Sequence, residues 1–357
     1  MKVLTVIGNR PQFIKAAAVS PLLRERGSEL LVHTGQHHDD ELSAVFFTEL
    51  GIPQPEVQLE ISGGSNTSQM ARMLAALEPV IQAAQPDCVL VYGDTNSTLA
   101  GALAAVQLGV RVAHVEAGMR SFDRRMPEEV NRVLTDHLSS LLLCSSAVPV
   151  ANLEREGVNA VVAVVGDVMV DLAQSVQPRA RERADLVVAH GIEPGGYLLA
   201  TAHRAGNVDD PLRLAALVEL LLGAGEPVLL PLHPRTRARL ESAGLLERLT
   251  SSGQVTVTPP LGYVELTALL VNARAVLTDS GGLQKEAYLA GVPCVTLRPS
   301  TEWVETVETG WNTLVDLDLS RARAALAAPP PQQRPDLYGD GHAGSRVVSA
   351  LLDAFAA

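Results

Sequence analysis

The apolar run from Gly109 to Val115 constrains this chain most, because it reads as a buried strand of a parallel sheet. It ends in Glu116-Ala117-Gly118, so an acid emerges at the strand's carboxyl end, where open α/β sheets hold their ligands. A dozen residues on, Met126-Pro127-Glu128-Glu129 opens a helical pattern. Proline suits the first helical turn, and carboxylates suit the positive end of the helix dipole. Carboxyl groups gathered at one sheet edge point to acid–base chemistry.

A chain of 357 residues predicts two domains, each with its own core. A composition 47% apolar and 19% charged fits a soluble α/β protein. Aromatics at 3% argue against base stacking, and a net charge of −12 argues against nucleic-acid or anionic-membrane partners. No apolar run reaches spanning length, and Met1 to Ile7 reads as a first strand rather than a signal peptide, so the expected compartment is the cytoplasm. Cys88, Cys144 and Cys294 lie in strand-like surroundings without CxxC spacing and read as buried, reduced thiols.

Along the chain, Val3 to Ile7 ends at Gly8-Asn9-Arg10-Pro11, and a helix carrying Lys15 comes next. Strand, glycine turn and helix N-terminus together make a phosphate-binding geometry, to which Arg10 and Lys15 would add charge. The spacing is neither a dinucleotide nor a Walker fingerprint. Leu30 to His33 is a second strand, and the loop after it holds His37, His38, Asp39 and Asp40. Their spacing matches no zinc pattern, so the loop reads as a helix N-cap at Asp39 or Asp40, and no metal is expected. Helix Asn66 to Ala84 leads to a strand from Asp87 to Tyr92, which brings Asp94 to the edge that holds Glu116. Asp94, Thr95 or Asn96 can each cap the next helix. Further strands are expected from Leu138 to Cys144 and from Ala160 to Val165.

The pattern restarts after Gly166-Asp167-Val168, with a charged helical transition near Pro178 to His190. Tyr197 to Thr201 ends in Ala202-His203-Arg204, and Val228 to Leu232 ends in His233-Pro234-Arg235. Ala275 to Leu277 ends in Thr278-Asp279-Ser280-Gly281-Gly282. Ser280, Gly281 and Gly282 opening a helix form a second phosphate cradle, with Glu286 one turn in and suited to ribose hydroxyls. Gly291-Val292-Pro293 feeds a last buried strand, and the tail from Ser345 is helical. Two βαβ halves, each with an anion-binding strand end, describe a nucleotide diphosphate held between two Rossmann-like domains.

In order, Gly8-Asn9-Arg10-Pro11, Gly93-Asp94-Thr95, His114-Val115-Glu116-Ala117-Gly118, Pro127-Glu128-Glu129, Asn131-Arg132, Thr201-Ala202-His203-Arg204 and Asp279-Ser280-Gly281-Gly282 with Glu286 closely resemble the non-hydrolysing UDP-N-acetylglucosamine 2-epimerases. The resemblance implies an α/β chain of two Rossmann-like domains facing across a cleft, the GT-B architecture. It places the acids in residues 1–167, UDP in 168–342, and a helix returning to the first domain in 343–357. It further implies a homodimer, no cofactor, and a cytoplasmic isomerase that supplies cell-surface polysaccharide synthesis. In such enzymes UDP is eliminated from the sugar and re-added through 2-acetamidoglucal. The resemblance assigns catalysis to Asp94, Glu116 and Glu128. It assigns UDP binding to Arg10, His203, Ser280, Gly281, Gly282 and Glu286, with Lys15 near the phosphates and Leu266 against the uracil.

Two local departures bear on substrate. Some bacterial members bind a second substrate molecule as activator through a basic residue and a glutamine; here Ser65 and Asn66 stand at those positions, although Gln36 is kept. The wording Arg120-Ser121-Phe122-Asp123-Arg124-Arg125-Met126-Pro127 is similar to that of the UDP-2,3-diacetamido-2,3-dideoxyglucuronate 2-epimerases. Thr301-Glu302-Trp303-Val304-Glu305 also replaces the common Thr-Glu-Arg-Pro-Glu. A uronate needs a cation near its carboxylate, and Arg124 or Arg125 can supply one. A GT-B glycosyltransferase is the competing class; the acidic charge and the paired acids count against it.

Overall fold

The structure, a computed structural model, describes residues 1–36, 47 and 49–355. Residues His37, His38, Asp39 and Asp40 lie outside the described residues, and so does the N-cap expected there. The chain divides into two compact units: Met1–Leu172 with the chain from Asp336 onward, and Ala173–Pro335.

The first unit is built on a parallel sheet with strands β1 (Lys2–Ile7), β2 (Ser28–His33), β3 (Val57–Gln58), β4 (Cys88–Tyr92), β5 (Arg111–Val115), β6 (Leu141–Cys144) and β7 (Val161–Val164). They lie in the order β3-β2-β1-β4-β5-β6-β7. The second sheet contains β8 (Leu198–Thr201), β9 (Val228–Pro231), β10 (Val255–Thr258), β11 (Ala275–Thr278), β12 (Cys294–Thr296) and β13 (Asn312–Leu314), in the order β10-β9-β8-β11-β12-β13. Every recorded strand pair is parallel. Both orders are doubly wound, and each reverses direction once: between β1 and β4, and between β8 and β11. Ligands of such sheets bind at the carboxyl ends of the strands that flank that reversal.

The central strands are mostly apolar because helices cover both faces. Cys88 to Tyr92 are fully buried, and each buried Val or Leu contributes about 1.5–3 kcal/mol relative to exposure. On one face Leu4, Val6, Val89 and Val91 pack with Met73, Leu77 and Ile81 of the helix Asn66–Ala84. In the second unit Leu198, Leu230 and Leu277 pack with Leu214, Leu217 and Leu221 of the helix Pro211–Gly223. The helix Ala343–Phe355 packs on Arg10–Arg26, and Asp171 accepts hydrogen bonds from the N–H groups of Ala343 and Gly344 at 3.0 and 2.7 Å.

Three expectations are corrected. Leu138 ends the helix Pro127–Leu138 instead of opening a strand, because it packs into the core on the helical repeat; pairing begins only where Ser140 N–H meets the Val112 carbonyl. The charged transition is a helix that begins at Val168 and runs to Arg181, with a short one, Ala184–Ala189, after it. The strand fed by Gly291 is not the last, since β13 lies outside it; three residues with one exposed threonine leave no apolar run to read.

Candidate active site

The turns that flank the reversal in the first unit carry Gly8 to Arg10 after β1 and Gly93-Asp94 after β4. A Cβ at Gly8 would run into the hydroxyls of Ser97 and Thr34, so only glycine lets the backbone lie this close. Gln12 turns back to accept from the Gly8 N–H at 2.7 Å and donates to the Tyr92 carbonyl at 3.0 Å, which ties the two turns together. Arg10 is the first residue of the helix Arg10–Arg26, and Lys15 lies five residues further on.

Lys15 Nζ forms a salt bridge with Glu116, and both side chains are nearly buried, at 12% and 14% exposed. Burial alone would lower the pKa of the ammonium, but the charges of Glu116 and then Asp94 outweigh it and raise the value. Glu116 adopts a left-handed backbone, φ 69°, which costs a non-glycine residue about 1–2 kcal/mol. It is held there because the N–H groups of Glu116 and Ala117 both donate to the Leu143 carbonyl, at 3.0 and 3.2 Å. Strain of this kind concentrates at functional sites.

Thr95, not Asp94, caps the helix Asn96–Gln107, in a reciprocal pair with Thr98. The Asp94 carboxylate is therefore released from capping, and it forms a salt bridge with Arg132. Arg132 also bonds Glu129 at 3.0 Å. Glu129 is buried and accepts from the Ser121 N–H (2.8 Å), the Ser121 hydroxyl (2.9 Å) and the Phe122 N–H (2.9 Å). It thereby fixes the loop in which Phe122 takes φ 58°. The adjacent acids thus divide their work: Glu129 builds the loop, while Glu128 is exposed at the helix N-terminus and pairs with no side chain among the described residues.

Beneath these acids His114 is fully buried, with Nδ1 2.7 Å from Asp136 and Nε2 2.7 Å from the Gly93 carbonyl. Asp136 also accepts from the Gly118 N–H at 3.1 Å and from Arg120 at 2.7 Å. Burial pushes the Asp136 carboxyl up, yet the hydrogen bond and charge of His114, and then Arg120, leave it below the ordinary carboxylate range. Sequence reasoning gave no role to Arg132, Asp136 or His114. One signal was available: Glu128, Arg132 and Asp136 recur every four residues and so share one helix face.

In the second unit the reversal is organised by Asp279, which is fully buried just after β11. Its carboxylate accepts from the N–H groups of His203 (3.1 Å) and Arg204 (3.0 Å) and from the Asn207 amide (3.1 Å). The loop after β8 is thereby folded against the loop after β11. His203 keeps a half-exposed imidazole with its ring centroid 5.8 Å from that of His233. Ser280 caps the helix Gly281–Ala290 by accepting from the Leu283 N–H at 3.4 Å. A Cβ on Gly281 would collide with the Glu302 carboxylate, whereas one on Gly282 would make only ordinary contact, 3.9 Å from the Ser280 hydroxyl. Backbone N–H groups at such a helix start can receive an anion.

Glu286 lies nearly buried in the same helix. Leu266, on the neighbouring helix Tyr263–Val271, is buried among Leu283 and Ala287. Trp303 braces the cradle, because its indole N–H donates to the Gly281 carbonyl at 2.8 Å while Lys285 Nζ lies 3.8 Å from its ring centroid. Glu302 bonds Arg298 at 2.9 Å. Burial would raise its pKa, but Arg298 and then Arg204 lower it.

The residues linked to substrate activation are engaged within the fold. Gln36 accepts from the Ser97 N–H (3.0 Å) and hydroxyl (2.7 Å), Ser65 caps the helix Asn66–Ala84, and Asn66 accepts from Asn96 at 3.2 Å. Arg125 is neutralised by a bidentate pair with Asp123, at 2.9 and 2.8 Å. Arg124 is exposed and has no side-chain partner among the described residues. No cluster of three or more His, Cys, Asp or Glu suited to a metal is found among the described residues. No described helix is long and apolar enough to cross a membrane.

The chain is similar to known proteins in sequence and in fold. The sequence profile of the family described as UDP-N-acetylglucosamine 2-epimerase matches residues 23–352. The UDP-2,3-diacetamido-2,3-dideoxy-D-glucuronate 2-epimerase of Pseudomonas aeruginosa is 49% identical, over 98% of this chain and 99% of its own. The crystal structure of Methanocaldococcus jannaschii UDP-GlcNAc 2-epimerase in complex with UDP-GlcNAc and UDP superposes with a TM-score of 0.92 at 38% identity, covering 99% of this chain and 100% of that one. The Neisseria meningitidis UDP-GlcNAc 2-epimerase bound to UDP-GlcNAc gives 0.88 at 28% identity, covering 99% and 100%. Two Rossmann-like units and these relatives place the chain among the nucleotide-sugar isomerases of the GT-B class. The chain belongs to the UDP-N-acetylglucosamine 2-epimerase family.

Proposed function

We propose that this protein interconverts UDP-N-acetylglucosamine and UDP-N-acetylmannosamine without hydrolysis. The observation that carries the reading is the placement of Asp94 and Glu116 on adjacent strand ends, with Glu128 at a helix N-terminus beside them. The C2 proton of the sugar is not next to a carbonyl and is hardly acidic. Its removal becomes feasible as the C1–O bond to UDP breaks, so a carboxylate takes the proton while UDP departs with the bonding pair. 2-Acetamidoglucal results. A carboxylic acid on the other face returns a proton to C2, UDP re-adds at C1, and the configuration at C2 is inverted. Glu116 and Asp94, paired with Lys15 and Arg132, suit the base role, and Glu128, without such a partner among the described residues, suits proton return.

UDP is assigned to Arg10, Lys15, His203, Ser280, Gly281, Gly282 and Glu286, with Leu266 on the uracil side. Cationic groups and the helix N–H groups stabilise the diphosphate charge that develops as the bond breaks. In this reading residues 1–167 carry the acids and 168–342 hold UDP. The enzyme works as a cytoplasmic homodimer without a cofactor, and its product enters cell-surface polysaccharide synthesis.

A second reading, UDP-2,3-diacetamido-2,3-dideoxyglucuronate as substrate, is favoured by one observation. Arg124, with no side-chain partner among the described residues, stands on the loop between Glu116 and Glu128, as a cation for a C6 carboxylate would. The test is proton NMR in deuterated water with each nucleotide sugar. Conversion of UDP-N-acetylglucosamine to its manno epimer with deuterium at C2 supports the first reading. Exchange of the uronate alone supports the second, and exchange of neither refutes both.

A further inference from the structure

The imidazole of His114 faces two acceptors. Its Nε2 lies 2.7 Å from the Gly93 carbonyl and its Nδ1 lies 2.7 Å from Asp136 Oδ1, with the whole residue closed to solvent. A carbonyl cannot donate, so Nε2 carries a proton. Asp136 is not the donor to Nδ1, because its other oxygen already receives the Gly118 N–H and the Arg120 guanidinium, which hold the carboxylate anionic. Both ring nitrogens are therefore protonated. The charges then close on themselves: His114 with Asp136, and Arg120 with both Asp136 and Glu156, the latter through two bonds of 2.7 Å. Beyond these, Cys144 on β6 is a thiol that burial pushes up to about 12 and that is neutral here. Among the described residues His137 pairs with Glu156 alone, at 3.8 Å.

What these bonds join is the second observation. Gly93 immediately precedes Asp94. His114 is two residues before Glu116, and Gly118, also tied to Asp136, is two after it. Asp136 shares a helix face with Glu128 and Arg132. One buried pair thus connects the three backbone segments that present Asp94, Glu116 and Glu128. A core that needed only stability would take an apolar side chain here, as β5 does at Val112, Ala113 and Val115, since buried ion pairs seldom outperform packed apolar groups.

We propose that His114, held between Asp136 and the Gly93 carbonyl, is a positioning residue that sets the spacing of the three acids. The inference deepens the epimerase reading and rests on it. Acids misplaced by a fraction of an ångström lose rate rather than nucleotide affinity.

The test combines two substitutions with a measurement on the unaltered protein. His114→Gln satisfies Gly93 or Asp136 but not both, and Asp136→Asn removes the charge while keeping the shape. Each is expected to lower kcat by about 10- to 100-fold. KM, and the Kd for UDP from titration calorimetry, are expected to stay within about threefold of the unaltered enzyme. Nitrogen-15 NMR of the unaltered protein is expected to show one imidazole with a proton on each nitrogen, as its two acceptors require. A folded variant with unchanged kcat overturns the proposal, and so does a neutral imidazole at His114. If neither variant folds, the spectrum decides. If the unaltered enzyme turns over neither nucleotide sugar, the proposed function falls while the spectrum still reads His114.

Discussion

The turns after β1 and β4 in the first unit present Arg10 and Asp94, and the turns after β8 and β11 in the second present His203 and Ser280. The two sheets share a strand order through the reversal, so these are equivalent places. Their chemistry differs in how the first residues past each strand are used. After β4, Thr95 takes the capping role and leaves Asp94 to Arg132. After β11, Ser280 does the capping, and the acid before it, Asp279, is buried to fold the His203 loop. A carboxylate at a strand end is left to an ion pair in one unit and serves as a bracket in the other. In both units the residue after the acid caps the helix, so the difference lies in what reaches the acid: the Arg132 guanidinium at Asp94, two backbone N–H groups and the Asn207 amide at Asp279. The strand order itself is neutral about chemistry.

If the first unit carries the chemistry and the second holds the nucleotide, substitutions in the two affect different constants. Asp94→Asn, Glu116→Gln and Glu128→Gln are each expected to lower kcat by about 10²- to 10⁴-fold. Calorimetry is expected to find UDP binding little changed, and near-normal turnover in all three would break the division. Glu286→Ala in the second unit is expected to weaken UDP binding by about tenfold or more, the worth of a hydrogen bond to a charged group. Arg10→Ala sharpens the boundary, because it lies in the first unit yet is expected to act on UDP affinity.

Smaller effects test the scaffold beneath the comparison. Gly118 has φ 76°, and a Cβ there would lie 2.5 Å from the Pro149 carbonyl oxygen. Gly118→Ala is therefore expected to lower urea stability by about 2–4 kcal/mol, from left-handed strain plus a backbone clash. Asp136 titrates lower in the folded chain than in the unfolded one, so the unfolded chain binds more protons in that window. Its contribution is complete above the unfolded carboxyl pKa of about 3.9 and is lost as pH falls toward the folded value. A denaturation series from pH 6 to about 3 is accordingly expected to be flatter for Asp136→Asn than for the unaltered protein. Last, Cys88, Cys144 and Cys294 are buried, and burial pushes each thiol up to about 12. A thiol reagent at neutral pH is expected to leave all three unmodified in the folded protein and to reach them on unfolding.

Much of this was legible along the chain. The runs that became β1, β4, β5 and β11 are mostly apolar because each is covered on both faces, and Gly8, Gly93 and Gly118 mark the turns after the first three. Glu128 and Glu129 read alike, since both are acids in the first turn of one helix. Only packing separates them, by turning Glu129 onto the Ser121 and Phe122 N–H groups. Arg125 and Arg124 were likewise equal candidates until the Asp123 pair removed the former. The strand β13 escaped notice because its three residues gain their place from pairing with β12 rather than from a pattern of their own.

By itself the sequence determined the alternation of strands and helices, the turns that open helices after β1 and β11, and the set of acids. Local propensity, burial period and residue type act over a few neighbouring positions. The tertiary structure decided how those acids are used: Lys15 on Glu116, Arg132 on Asp94 and His114 against Gly93. These pairs span 101, 38 and 21 positions of the chain. Charge at such separations finds its partner only after the sheet has brought the strand ends together.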